Sequence, residues 1–188
     1  MANSALFWPL AALVLAPMPA GAREAVSGRC RIHGYLADPD PAGTNVRAAP
    51  SRDAAVLKRL PHGQESDDEL SPEVAITGFT QGWAEVREAI FGDYGSGADE
   101  LLFKGRGWIW GGLISATLNH LYLRSRPDEK APVVARLMGD DWGPDSVQVL
   151  AIEDCRGSYA KVRARMPDGR IVNGWTAGLC SNQVTTCP

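Results

Sequence analysis

Asn45-Val46-Arg47-Ala48-Ala49-Pro50, followed by Val56-Leu57 and Leu60, returns 77 residues later. The second set is Tyr122-Leu123-Arg124-Ser125-Arg126-Pro127, followed by Val133-Val134 and Leu137. The Arg, the Pro and every apolar position keep their spacing without a gap. The register then slips by one residue and the likeness continues. Val74-Ala75-Ile76 answers to Leu150-Ala151-Ile152, and Gly82-Trp83-Ala84-Glu85-Val86-Arg87 to Ser158-Tyr159-Ala160-Lys161-Val162-Arg163. Gly107-Trp108 answers to Gly174-Trp175, with Leu113 and Leu179 beyond them. A repeat of roughly 70–90 residues is longer than a solenoid unit, so the chain reads as a duplicated module and not as an array.

Each copy reads as all-β. Val74-x-Ile76 and Trp83-x-x-Val86 are short runs of β-formers separated by glycine-containing turns. Ala160 to Arg165 alternates apolar and charged residues, the pattern of a half-buried strand. Met166-Pro167-Asp168-Gly169-Arg170 follows as a hairpin turn, in which Asp-Gly supplies the positive φ angles. Short strands at regular spacing predict a small barrel in each copy.

Outside the repeats, residues 5–15 form an apolar run too short to span a bilayer, followed by Pro17, Pro19 and Ala20-Gly21-Ala22. This is the pattern of a secretory signal peptide over residues 1–22, cleaved after Ala22, although no Lys or Arg precedes the run. The expected domains are 23–115 and 116–188, with residues 111–120 as a short, partly apolar joint that packs the two together. Net charge is −3, with no charged side chain before residue 23. Such a chain lacks the concentrated basic face that nucleic-acid binding needs.

The cysteines number four: Cys30, Cys155, Cys180 and Cys187. In an exported chain an even count reads as disulfides, formed in the periplasm or outside the cell. With no Cys-x-x-Cys and no nearby His, zinc is not expected, nor is any other cofactor. Cys155 stands at a strand end and Cys180 follows the Gly-Trp strand of the same copy. The expected pairs are therefore Cys155–Cys180 and Cys30–Cys187, with a local Cys180–Cys187 loop as the alternative.

The pattern Asn/Tyr-Val/Leu-Arg-x-x-Pro, an apolar pair, Gly-x-Trp and Gly-Trp-apolar resembles the bacterial SH3-like domain (SH3b). The resemblance covers nearly all of residues 30–188. It rests on Arg47, Pro50, Trp83 and Trp108 in one copy and on Arg124, Pro127, Tyr159 and Trp175 in the other. It implies two tandem SH3-like β-barrels, and a protein that recognises a cell-wall peptide or glycan, or an envelope protein. A long hairpin, 89–100, an acidic loop, Glu65 to Glu69, and the segment from Cys180 depart from the simplest pattern.

No catalytic constellation is legible. His33, His62 and His120 stand apart from any free thiol, and no Ser lies in a Gly-x-Ser-x-Gly elbow. The acidic runs lack the alternation and bend glycine of a calcium loop. Arg47 and Arg124, at matched positions, read first as structural groups that fix a loop by bonding carbonyls, and second as carboxylate receptors. Trp83 and Trp175 read as core or barrel wall. Trp108 and Trp110, two apart on one strand, could share a groove, and Trp142 lies in a polar turn. Trp110, Trp142, Trp108 and Tyr94 are the candidate ligand contacts, since aromatics with a polar edge anchor peptides and glycans. The reading is an exported, non-catalytic binding protein. The alternative is a structural or inhibitory, immunity-type partner in the periplasm.

Overall fold

A computed structural model describes residues 28–63, 70–95 and 97–184. The expected signal peptide, the acidic loop from Glu65 to Glu69 and Cys187 lie outside the described residues. Strands dominate, and among the described residues there is no α-helix. The first seven strands are β1 (Gly28–Leu36), β2 (Thr44–Arg47), β3 (Val56–Leu60), β4 (Glu73–Thr80), β5 (Trp83–Phe91), β6 (Glu100–Trp110) and β7 (Ile114–Ser115). They make one sheet in the order β3-β2-β6-β5-β4-β1-β7. Then come β8 (Thr117–Leu118), β9 (Tyr122–Arg124), β10 (Val133–Arg136), β11 (Gln148–Arg156), β12 (Tyr159–Arg165), β13 (Ile171–Thr176) and β14 (Leu179–Cys180). Five of these form a second sheet, β10-β9-β13-β12-β11, and β14 pairs with β8.

The order β3-β2-β6-β5-β4 in one sheet is the order β10-β9-β13-β12-β11 in the other. The likeness extends to register. Arg47 faces Trp108 as Arg124 faces Trp175. A shift follows Ile76 where β4 meets β5, and the matching shift follows Ile152 where β11 meets β12. Such irregularities bend a strand and increase its twist, which curls a sheet.

The loops after the Arg strands repeat bond for bond. Nη1 of Arg47 donates to the Ala54 carbonyl and Nη1 of Arg124 to the Ala131 carbonyl, both at 2.9 Å. The amides of Ala48 and Ser125 donate to the carbonyls of Ala55 and Pro132, again at 2.9 Å. Within each loop a short side chain caps the turn: Ser51 Oγ accepts from the Asp53 amide, and Asp128 Oδ1 from the Lys130 amide. Each Arg replaces water at a carbonyl that the turn leaves without a ladder partner.

The repeated apolar positions fill the core. Val46 and Leu123, Leu60 and Leu137, Ile76 and Ile152, and Val86 and Val162 are all buried within one continuous cluster. The repeated pairs Val56-Leu57 and Val133-Val134 are exceptions, about half exposed on the outer strands β3 and β10. The expected joint is no surface linker. Ile114, Ser115, Ala116 and Leu118 are buried, and Ser115 Oγ donates to the Val149 carbonyl at 2.9 Å.

Cys30 bonds Cys155, with Cα atoms 5.7 Å apart, which corrects both expected disulfide pairs. The reason is β1, which the repeat pattern does not contain. Its buried Ile32, Gly34 and Leu36 alternate with exposed Arg31 and His33, and it pairs with β4 on one side and β7 on the other. At its start it also touches the second sheet: the Arg31 amide donates to the Gly157 carbonyl at 2.8 Å, and the Gly157 amide to the Arg29 carbonyl at 2.9 Å. That contact sets Cys30 beside Cys155. Cys180 is also disulfide-bonded.

Residues 179–184 return to the first sheet. The Ser71 amide donates to Gln183 Oε1 at 2.9 Å, and Gln183 Nε2 to the Ser71 carbonyl at 2.8 Å. Thr117 Oγ1 donates to the Asn182 carbonyl at 2.9 Å, and Ser181 Oγ donates to Glu73.

Candidate functional site

In the second repeat, β9, β12 and β13 converge on an open cleft of about 450 Å³. Alternation along β9 buries Leu123 and turns Tyr122 and Arg124 the other way. β13 contributes Trp175, paired directly with Arg124. The tight turn into β12 delivers Tyr159, and the Arg124 loop brings Glu129 into a lining that also includes His120. The Arg124 guanidinium carbon lies 5.9 Å from the centre of the Tyr122 ring. The cleft thus offers aromatic faces, one guanidinium and one carboxylate. Such a surface can hold an extended chain by stacking while pairing with charges of either sign on it.

The matching surface of the first repeat is closed. Trp83 replaces Tyr159, and Trp110 leans on it with ring centroids 5.6 Å apart and planes at 70°. Trp83 pairs with Trp110 across β5 and β6. In the second repeat Ala160 pairs with Thr176, so the next step places Tyr159 beside Ala177. Trp110 and Ala177 are therefore equivalent, and the small residue leaves the space unfilled. The turns differ in concert. Gln81 and Gly82 both have positive φ, +49° and +81°, the signs of a type I′ turn. A Cβ on Gly82 would fall 2.8 Å from the Trp110 ring. In the matching turn of the second repeat only Gly157 carries positive φ, and Ser158 takes the Gly82 position. A second cover lies over Trp108, where the Arg106 guanidinium stands 5.6 Å from the ring centre.

The four candidate ligand aromatics do not meet in one site. Trp108 is 5% exposed and Trp110 39%, so the two tryptophans do not line a common groove. Trp142 is half-buried and packs against the core. Tyr94 binds this chain's own segment: its hydroxyl donates to Glu73 and accepts from the Gln183 amide at 3.3 Å. Partial burial, then the Glu73 hydrogen bond, pushes its phenol up to about 12. Pro50 and Pro127 are half-buried in the two Arg loops. Arg124, Tyr159 and Trp175, read from sequence as scaffold, line the open cleft.

Tyr122, His120 and Glu129 were not singled out as ligand contacts. The signal was present in the repeat itself, since Tyr122 stands where the first copy has Asn45. His33 and His62 are exposed. Among the described residues no three of His, Cys, Asp and Glu are grouped to hold a metal ion, and no helix is long and apolar enough to cross a membrane. Compared with protein families, curated proteins and solved structures, the chain matches none.

Proposed function

We propose that this is an exported, non-catalytic binding protein of SH3b type, and that its second repeat holds a cell-wall peptide in the aromatic cleft. The observation that carries this reading is the difference between the copies. The same strand positions are capped by Trp110 in one and left open at Ala177 in the other. A fold that needed the cap would have it twice. Arg124 and Glu129 in the lining suit a short peptide carrying both a carboxylate and an amine. The Cys30–Cys155 bond favours an oxidising compartment, which supports export.

The test is binding to purified sacculi and to soluble wall peptides. Tyr122→Ala removes an exposed ring and should weaken binding by roughly thirtyfold, the size of a hot-spot aromatic. The paired substitution Ser158→Gly with Ala177→Trp rebuilds the first copy's cap and should abolish binding with little change in melting temperature. If the capped variant binds as the parent does, the cleft is not the site. If the parent ignores sacculi and wall peptides, the wall reading fails and the inhibitory-partner reading takes its place.

A further inference from the structure

Glu85 on β5 is 5% exposed, a buried carboxylate in the first repeat. Its two oxygens are taken by different guanidinia: Arg87 Nη2 at 2.8 Å from Oε1 and Arg106 Nη2 at 3.0 Å from Oε2. Thr77 Oγ1 adds a longer contact of 3.3 Å. One Arg would neutralise this carboxylate; two exceed it. A third, Arg29 on β1, lines the same cleft of about 390 Å³, together with Thr77 and Cys30. Three cations thus face one anion in a chain whose net charge is −3. Like charges gathered in a cleft repel one another and concentrate a positive field on whatever enters it.

The cluster is not demanded by the fold. At the positions of Thr77 and Glu85 the second repeat has Glu153 and Lys161, a simple pair at 3.2 Å, and Asn173 stands in place of Arg106. The arginines are also presented rather than packed away. The side chains of Arg87 and Arg106 are 51% and 55% exposed, each anchored at one nitrogen by Glu85. Arg106 is further oriented by the Trp108 ring beneath it. An anchored guanidinium keeps further donors in a fixed fork suited to oxyanions.

We infer that this cleft is an anion site for a phosphate dianion, held by Arg29, Arg87 and Arg106 with Glu85 as their buried organiser. Two charges on the ligand balance the two in excess, and tetrahedral oxygens allow several forks to engage at once. Free phosphate and a phosphomonoester on an envelope molecule share this chemistry. The site lies in the other repeat from the aromatic cleft and stands or falls independently of it.

Calorimetric titration of the oxidised protein at low ionic strength tests the inference, with inorganic phosphate and glycerol phosphate as probes and acetate as the monoanion control. Phosphate should bind at one site. Arg29→Ala, which leaves both Glu85 ion pairs in place, should weaken it about tenfold or more without shifting the melting temperature. Glu85→Gln should also weaken it, because the two guanidinia lose the carboxylate that orients them. Should that variant fold poorly, Arg106→Gln should likewise weaken it. Stronger binding of inorganic phosphate assigns the free ion, and stronger binding of glycerol phosphate assigns the ester. Silence with both probes, equal affinity in Arg29→Ala, or acetate binding as tightly as phosphate would each overturn the assignment.

Discussion

Removing the Cys30–Cys155 bond should cost a large part of the chain's stability. The bond joins residues 125 apart. In the chain-entropy model a closed loop of that length restricts the unfolded state by about 5 kcal/mol. That is of the order of the whole stability of an ordinary domain, about 5–15 kcal/mol. The variant is Cys30→Ala with Cys155→Ala, which leaves Cys180 untouched. Cys155 is 1% exposed, so a smaller loss from packing adds to the entropic one. Urea unfolding followed by tryptophan fluorescence should show a midpoint fall matching about 5–6 kcal/mol. The slope against denaturant should rise, because an unconstrained unfolded chain exposes more surface. A loss below about 1 kcal/mol would refute the reasoning. So would a large loss at unchanged slope, which would place the effect in the folded state.

Arg47→Met and Arg124→Met each remove one guanidinium–carbonyl bond of 2.9 Å from matched loops. Each should destabilise by about 1–2 kcal/mol in thermal melts, and a clear effect in only one copy would contradict the equivalence of the loops. Gly82→Ala meets both a φ of +81° and the Trp110 ring, whereas Gly157→Ala meets a φ of +60° and open space. Gly82→Ala should therefore cost about 2 kcal/mol and Gly157→Ala about half that, and equal costs would remove Trp110 from the account. Tyr94 has its folded-state phenol raised to about 12 against an ordinary 10.0. A raised value means that the fold favours the neutral form, so this contribution is complete below pH 10 and fades as pH climbs toward 12. Melting temperature should drop further over that window in the parent than in Tyr94→Phe; parallel curves would show that the phenol is not the titrating group.

The duplicated positions made most of the core legible. Val46 with Leu123, and Ile76 with Ile152, are buried because matched strands put them on the same inner face. Val56-Leu57 and Val133-Val134 repeat equally well yet remain half exposed. Repetition reports equivalence of position, and both strands are outermost in their sheets. β1 was invisible because it has no counterpart in the second copy, and with it went the partner of Cys155. The open cleft depends on side chains across a strand pair and a turn, Ala177 with Ser158 against Trp110 with Gly82. Those four are readable only when both copies are laid in register. Counting tryptophans favoured Trp110 and Trp142 over Tyr122, because abundance says nothing about which ring lacks a cover.

The clasp made by residues 179–184 has a consequence in time. A chain that emerges N-terminus first presents the first sheet's strands, through Ser115, before Gln183 arrives to bond Ser71 or Ser181 to bond Glu73. The residues between them impose a delay on the completion of the first sheet. Throughout it, Leu118 of β8 waits for its partner Leu179. A nascent chain paused within the second repeat would hold an unfinished first one, with a bare strand edge open to any neighbour. The interval between the emergence of residues 118 and 179 is then when the newly made protein is most open to aggregation.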